Sequence, residues 1–112
     1  MKKGEIYFAD FSQENGESKD VRPVLIISND VNNKHHSLIT VAPLTSHVDQ
    51  VYRFEVMLTQ EESGLNKNSK VQCNQLRTIS KKRIISAKPA GKISVGLIEK
   101  VYEAIKLHLD IH

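Results

Sequence analysis

The chain has 112 residues, enough for one domain (1–112) with a single core, and its three Tyr, three Phe and no Trp leave Val, Ile and Leu to fill that core. One cysteine, Cys73, excludes an internal disulfide framework and any multi-cysteine metal site. A net charge of +3 leans toward a polyanionic partner without deciding it, and with no run of transmembrane length and no signal-type apolar segment at the start, a cytoplasmic protein without membrane contact is the expectation.

Strand signals recur along the chain. Residues 5–11 are rich in aromatic and β-branched side chains, with Ile6 and Phe8 on one face and Tyr7, Ala9 and Phe11 on the other. Residues 24–27 and 38–44 are continuous apolar runs, as strands buried on both faces should be. Phe54, Val56 and Leu58 alternate with Glu55 and Met57, which predicts a half-exposed strand; residues 71–79 alternate again, and Arg83-Ile84-Ile85 reads as one more short strand. The connections are polar. Residues 12–21, with Asn15-Gly16, and 29–37, with Asn32-Asn33-Lys34-His35-His36, read as surface loops, and 86–91 as a connector. Thr59-Gln60-Glu61-Glu62 fits a capping box and Gly64 a stop, predicting a single helical turn. The one full helix is C-terminal: Ser94 is its N-cap, and Leu97, Ile98, Val101, Tyr102, Ile105 and Leu109 recur at helical spacing as a core-facing stripe. The fold class is therefore mainly β with a C-terminal helix, a small, strongly bent sheet or partly open barrel.

Two strand ends carry polar groups. Arg22-Pro23 enters the apolar run Val24-Leu25-Ile26-Ile27, and Leu44-Thr45-Ser46 closes the next one. A guanidinium and a hydroxyl brought together there would make a phosphate site. From the residues alone, Arg22 reads equally well as a surface arginine over a barrel edge, and Thr45 as an ordinary strand-ending threonine. Cys73 reads as a small buried thiol rather than a reactive one. If the alternation of 71–79 holds, Gln75 and Arg77 share its face and open that face onto a cleft. Arg77, Lys81, Lys82, Arg83, Lys88 and Lys92 form a stretch free of Asp and Glu, which is either a solvated face or a phosphate-contacting one. No P-loop, G-x-G-x-x-G or H-E-x-x-H is present and the five histidines are poorly spaced for a metal, so no metal site and no cofactor is expected; His47 is near enough to Thr45 to reach the same cleft, though an exposed loop histidine is the plainer reading.

Four segments in register give these residues a family setting: Gly4-Glu5-Ile6-Tyr7-Phe8-Ala9-Asp10-Phe11, Arg22-Pro23-Val24-Leu25-Ile26-Ile27-Ser28-Asn29-Asp30, Val41-Ala42-Pro43-Leu44-Thr45-Ser46 and Gln75-Leu76-Arg77-Thr78-Ile79-Ser80-Lys81-Lys82-Arg83-Ile84. Together they resemble the MazF/PemK (Kid) family of toxin endoribonucleases from bacterial toxin–antitoxin pairs, over nearly the whole length. The resemblance implies an SH3-like barrel of the CcdB/PemK type that forms a homodimer. It implies sequence-specific, metal-independent cleavage of single-stranded RNA (mRNA), and inhibition by a cognate antitoxin lying over the RNA groove. It places the catalytic pair on Arg22 and Thr45, and substrate contacts on Glu17, Asn29, Gln75 and Arg77. Two positions depart from the family pattern: Asp20 stands where a glycine is frequent, and Asn74 where an acidic residue commonly precedes the glutamine. Cleavage of this kind uses the 2′-hydroxyl of the RNA against the adjacent phosphorus, giving a cyclic phosphate and a 5′-hydroxyl, with Glu17 and then His47 as the groups able to move a proton. The alternatives are a CcdB-like DNA gyrase poison without nuclease activity and a non-enzymatic binding barrel.

Overall fold

The structure, a computed structural model, describes residues 1–12 and 20–112. In chain order its elements are β1 (Glu5–Asp10), β2 (Val21–Ile26), α1 (Asp30–His35), β3 (Leu38–Thr45), β4 (Glu55–Leu58), α2 (Gln60–Ser63), β5 (Ser69–Gln72), β6 (Arg77–Ser80), a 3-10 turn (Lys81–Arg83), β7 (Gly91–Lys92) and α3 (Val95–Leu109). The strands pair antiparallel in the order β4-β5-β3-β2-β1-β7, with β6 also on β3. β3 is the longest strand because it serves three partners: its first half pairs β6, its middle β2 and its last residues β5. A bridge between Ala9 and Ile84, followed by an Ile85 N–H bond to the Phe8 carbonyl, brings the chain after β6 back to β1 and curls the sheet into a partly open barrel.

The continuous apolar runs are buried on both faces, and the pleat sorts them into two cores. Ile6, Leu25, Ala42 and Leu44 point one way and pack with Val56, Leu58, Val71 and the Val101, Ala104 and Ile105 face of α3. Tyr7, Ala9, Val24, Ile26 and Val41 point the other way and close with Phe11, Ile39 and Ile79 inside the curl. Each fully buried Ile, Leu or Val contributes about 1.5–3 kcal/mol, so the strands with both faces covered anchor the fold. α3 is held at its start by Ser94, whose side chain accepts the Leu97 N–H, and at mid-length by the Tyr102 hydroxyl, which donates to the Ile27 carbonyl.

Four expectations are corrected. Residues 29–37 are not a loop: Asn29 caps α1 by accepting the Asn32 N–H, and the buried Asn33 side chain donates to the Ser28 carbonyl. Residues 71–79 are not one strand, because the chain turns at 73–75, where the Gln75 N–H reaches the Gln72 carbonyl, and splits into β5 and β6. Ile84 makes a single bridge beside a 3-10 turn in place of a strand. Leu109 is exposed, since α3 runs past the edge of the core it covers. The capping box at Thr59 and the left-handed Gly64 stop after it are as expected.

The connector before α3 ends in β7, where Gly91 presses against the end of α2. A Cβ there would lie 1.7 Å from the Ser63 carbonyl oxygen, and the next nearest atoms are also backbone of Ser63 and Gly64, with no flexible side chain to move. Gly91→Ala is expected to destabilise by about 1–3 kcal/mol or more, read as a lower urea midpoint at unchanged m-value.

Candidate functional site

Arg22 is the second residue of β2, opposite Ala9 of β1. Pro23 follows, disfavouring helical backbone at Arg22 and holding it extended, so the side chain leaves the barrel at a fixed point. Its Nε donates to Asp20 Oδ1 at 2.8 Å. The arginine side chain remains 58% exposed while the aspartate is 13% exposed, so the carboxylate is set into the surface and the guanidinium stands out from it.

Thr45 is the last residue of β3. The β2–β3 ladder ends with Val24 opposite Pro43, two residues short of Arg22 on one strand and of Thr45 on the other. Alternation then points both side chains to the same face. The Thr45 hydroxyl accepts the His47 N–H at 3.2 Å. That bond takes up a lone pair and leaves the hydroxyl proton for a ligand.

Both side chains line one groove of about 600 Å³, whose lining also includes Phe8, His47, Asn66 and Lys67. The groove therefore holds a guanidinium, a hydroxyl, an ammonium and an aromatic ring. This set suits a phosphate with an unstacked base beside it. Part of the groove's wall comes from the loop between α2 and β5. The polar run Asn66-Lys67-Asn68-Ser69 after the Gly64 stop was its only sequence signal.

Among the described residues, the predicted contacts Asn29, Gln75 and Arg77 do not line this groove. Asn29 lies beyond the opposite end of β2, where its side chain caps α1. Gln75 is exposed in the turn between β5 and β6, and Arg77 lays its guanidinium 4.5 Å from the centre of the Phe11 ring. The turn takes Gln75 and Arg77 off any shared face with Cys73. Cys73 is fully buried, and burial, reinforced by the Glu55 charge, pushes its thiol up to about 12, so it is a packing residue. Glu17, with the rest of residues 13–19, lies outside the described residues. Among the described residues no three His, Cys, Asp or Glu side chains gather where they could hold a metal ion.

Next to Thr45 sits a buried ion pair. Lys70 faces Thr45 across the β3–β5 ladder, and its Nζ meets Glu55 Oε1 at 2.9 Å with the two side chains 8% and 6% exposed. The same ammonium donates to the Gln50 carbonyl at 2.6 Å and lies 5.4 Å from the centre of the Tyr52 ring. Glu55 Oε1 also accepts the Tyr52 N–H. Burial would raise the Glu55 carboxyl, but the Tyr52 N–H and the Lys70 ammonium outweigh it and hold it below its ordinary value. The pair thus fastens the loop leaving Thr45 to β4 and β5.

Three comparisons extend this geometry. A family model described as PemK-like, MazF-like toxin of type II toxin-antitoxin system matches residues 2–109. The chain is 36% identical to Endoribonuclease MazF9 of Mycobacterium tuberculosis, over 99% of this chain and 98% of that protein. It is 32% identical to Endoribonuclease EndoA of Bacillus subtilis, over 99% of this chain and 96% of that one. Among solved structures, an endoribonuclease in complex with its cognate antitoxin from a Mycobacterial species shares the fold with a TM-score of 0.82 at 19% identity, covering 100% of this chain and 97% of that one.

Proposed function

The chain belongs to the PemK-like, MazF-like toxins of type II toxin–antitoxin systems, and from that premise we propose that it is an endoribonuclease that cuts single-stranded RNA through Arg22 and Thr45. One observation carries the reading: the two side chains project into one groove from adjacent strand ends. The family relatives named endoribonucleases support it. A DNA gyrase poison has no need of a phosphate clamp at this place.

The substrate supplies its own nucleophile. The 2′-hydroxyl attacks the adjacent phosphorus, the bond to the 5′-oxygen breaks, and the products are a cyclic phosphate and a 5′-hydroxyl. The protein holds the sugar and phosphate in line and stabilises charge growing on the non-bridging oxygens. The Nη edge of Arg22 matches two such oxygens, and Thr45 donates one further hydrogen bond. Arginine, with a pKa of about 12.5 or more, is a poor base. Of the groups able to move the proton, His47 lines the groove and Glu17 is the other. Phe8 offers a stacking face for a neighbouring base, and the loops around the groove read RNA sequence on base edges. Asn29, Gln75 and Arg77 would extend RNA contact only along a path longer than this groove.

The protein acts in the cytoplasm, as a homodimer, on mRNA. A cognate antitoxin, as the family description implies, silences it by laying a segment over the groove; that a related fold was solved with its antitoxin supports this.

Purified protein incubated with a long defined RNA in EDTA is expected to cut at a small set of sequences, leaving cyclic phosphate and 5′-hydroxyl ends, with Thr45→Ala slower than wild type. Intact RNA in the presence of folded wild-type protein sinks the nuclease reading, and ends carrying a 5′-phosphate sink the 2′-hydroxyl route.

A further inference from the structure

We infer that Asp20 is a positioning residue for Arg22: its carboxylate holds the Nε edge of the guanidinium and so aims the Nη edge at the groove. The inference rests on the proposed cleavage reaction. Asp20 and Arg22 are two residues apart in extended chain, so their side chains leave the same face. The ion pair is made through Nε at 2.8 Å. Among the described residues, Arg22 has no other hydrogen-bond partner than Asp20. The outer edge, which fits a phosphate bidentately, is thereby left for the ligand.

Asp20 is fit for this because it is itself fixed. Its carbonyl accepts the Phe11 N–H at 2.8 Å, and the next residue, Val21, is paired to Asp10, so its backbone is tied to the end of β1. Its side chain is 13% exposed against 58% for Arg22. A mobile arginine is thus tethered near its head to a rigid carboxylate. Without the tether, a long side chain standing in solvent would search many rotamers before meeting the phosphate. The carboxylate also brings a negative charge close to where the RNA phosphate binds, so the tether aids orientation at some cost to affinity. Asp20 therefore acts on the chemical step more than on binding.

The test compares wild type with Asp20→Ala and Asp20→Asn by single-turnover cleavage of a defined RNA. In parallel, the Arg22 Nε–H signal is followed by NMR. Asp20→Ala is expected to lower the maximal rate by about 10- to 100-fold, the effect of a misplaced catalytic group, with KM unchanged or lower. Asp20→Asn, which keeps an oxygen facing Nε, is expected to return the rate to within a few-fold of wild type. The Nε–H signal should be protected from exchange in wild type and Asp20→Asn and unprotected in Asp20→Ala. Cleavage by Asp20→Ala at the wild-type rate or faster overturns the inference, as does an Asp20→Asn rate no better than that of Asp20→Ala in folded protein. Loss of Nε–H protection in Asp20→Ala with no RNA cleavage by wild type confirms the tether while refuting the nuclease reading and, with it, this role.

Discussion

Arg22→Ala is expected to cut RNA about 10²- to 10³-fold more slowly than wild type at saturating substrate, the cost of removing one preorganised donor from a developing oxyanion. The loss should appear in the rate and hardly in the fold. Arg22 is 58% exposed and its ion pair with Asp20 is a surface one, so its removal should change stability by less than about 1 kcal/mol. Binding should also weaken in a recognisable way. Deleting one phosphate contact to a single strand lowers the slope of log K against log salt by about 0.7. An Arg22→Ala protein that cleaves within a few-fold of wild type would remove the mechanism, whatever the fold.

Arg22→Lys separates charge from geometry. A lysine ammonium keeps the positive charge but lacks the two-pronged edge, and it has no second nitrogen with which to hold Asp20 and phosphate together. It should recover little of the rate. Thr45→Ala removes a single neutral donor and should cost less than Arg22→Ala. The double variant should fall short of the product of the two losses, because both side chains act on one phosphate.

The strands that position this pair could be read from the chain because their signal is local. Residues 24–27 and 38–44 are apolar without interruption, and strands covered on both faces need that pattern. The β2–β3 register that brings Arg22 and Thr45 to neighbouring strand ends is a pairing between distant segments, and no spacing along the sequence encodes it. The Asn66-Lys67 wall escaped for the same reason. α1 leaves no helical signal in the sequence because it spans only six residues of Asn, His, Val, Lys and Asp, mostly poor helix formers, too short to show a period. Its cap signal, Asn29 before Asp30, is equally compatible with a loop or a substrate contact. The turn between β5 and β6 has neither Gly nor Pro, and the apolar Val71, Cys73 and Ile79 kept an even spacing across it, so one strand was the natural reading. Leu109 fits the helical stripe by spacing, yet only position along α3 decides whether there is a core beneath it.

The buried pair beside the site sets the second large effect. Lys70→Met should destabilise the protein by about 3–5 kcal/mol at neutral pH, because it leaves the Glu55 carboxylate buried without its cation. In the wild type, Glu55 titrates below its unfolded value, so its contribution is complete above about pH 4.3 and is lost as pH falls through the lower folded pKa. In Lys70→Met the balance reverses. With the cation gone, burial favours the protonated acid, and acidification should relieve the defect. The stability gap between the two proteins should thus narrow from pH 7 to pH 4, as read by urea unfolding at each pH. Adding Glu55→Gln to Lys70→Met should restore much of the loss, since the amide oxygen still accepts the Tyr52 N–H and no charge is buried. A gap below about 1 kcal/mol, or one that stays level with pH, would show that the pair is not what holds this region. Because Lys70 also binds the Gln50 carbonyl, releasing it frees the loop that begins at Thr45. Lys70→Met protein that remains folded should therefore bind RNA with altered sequence preference, while Arg22, held from β2 and Asp20, keeps its place.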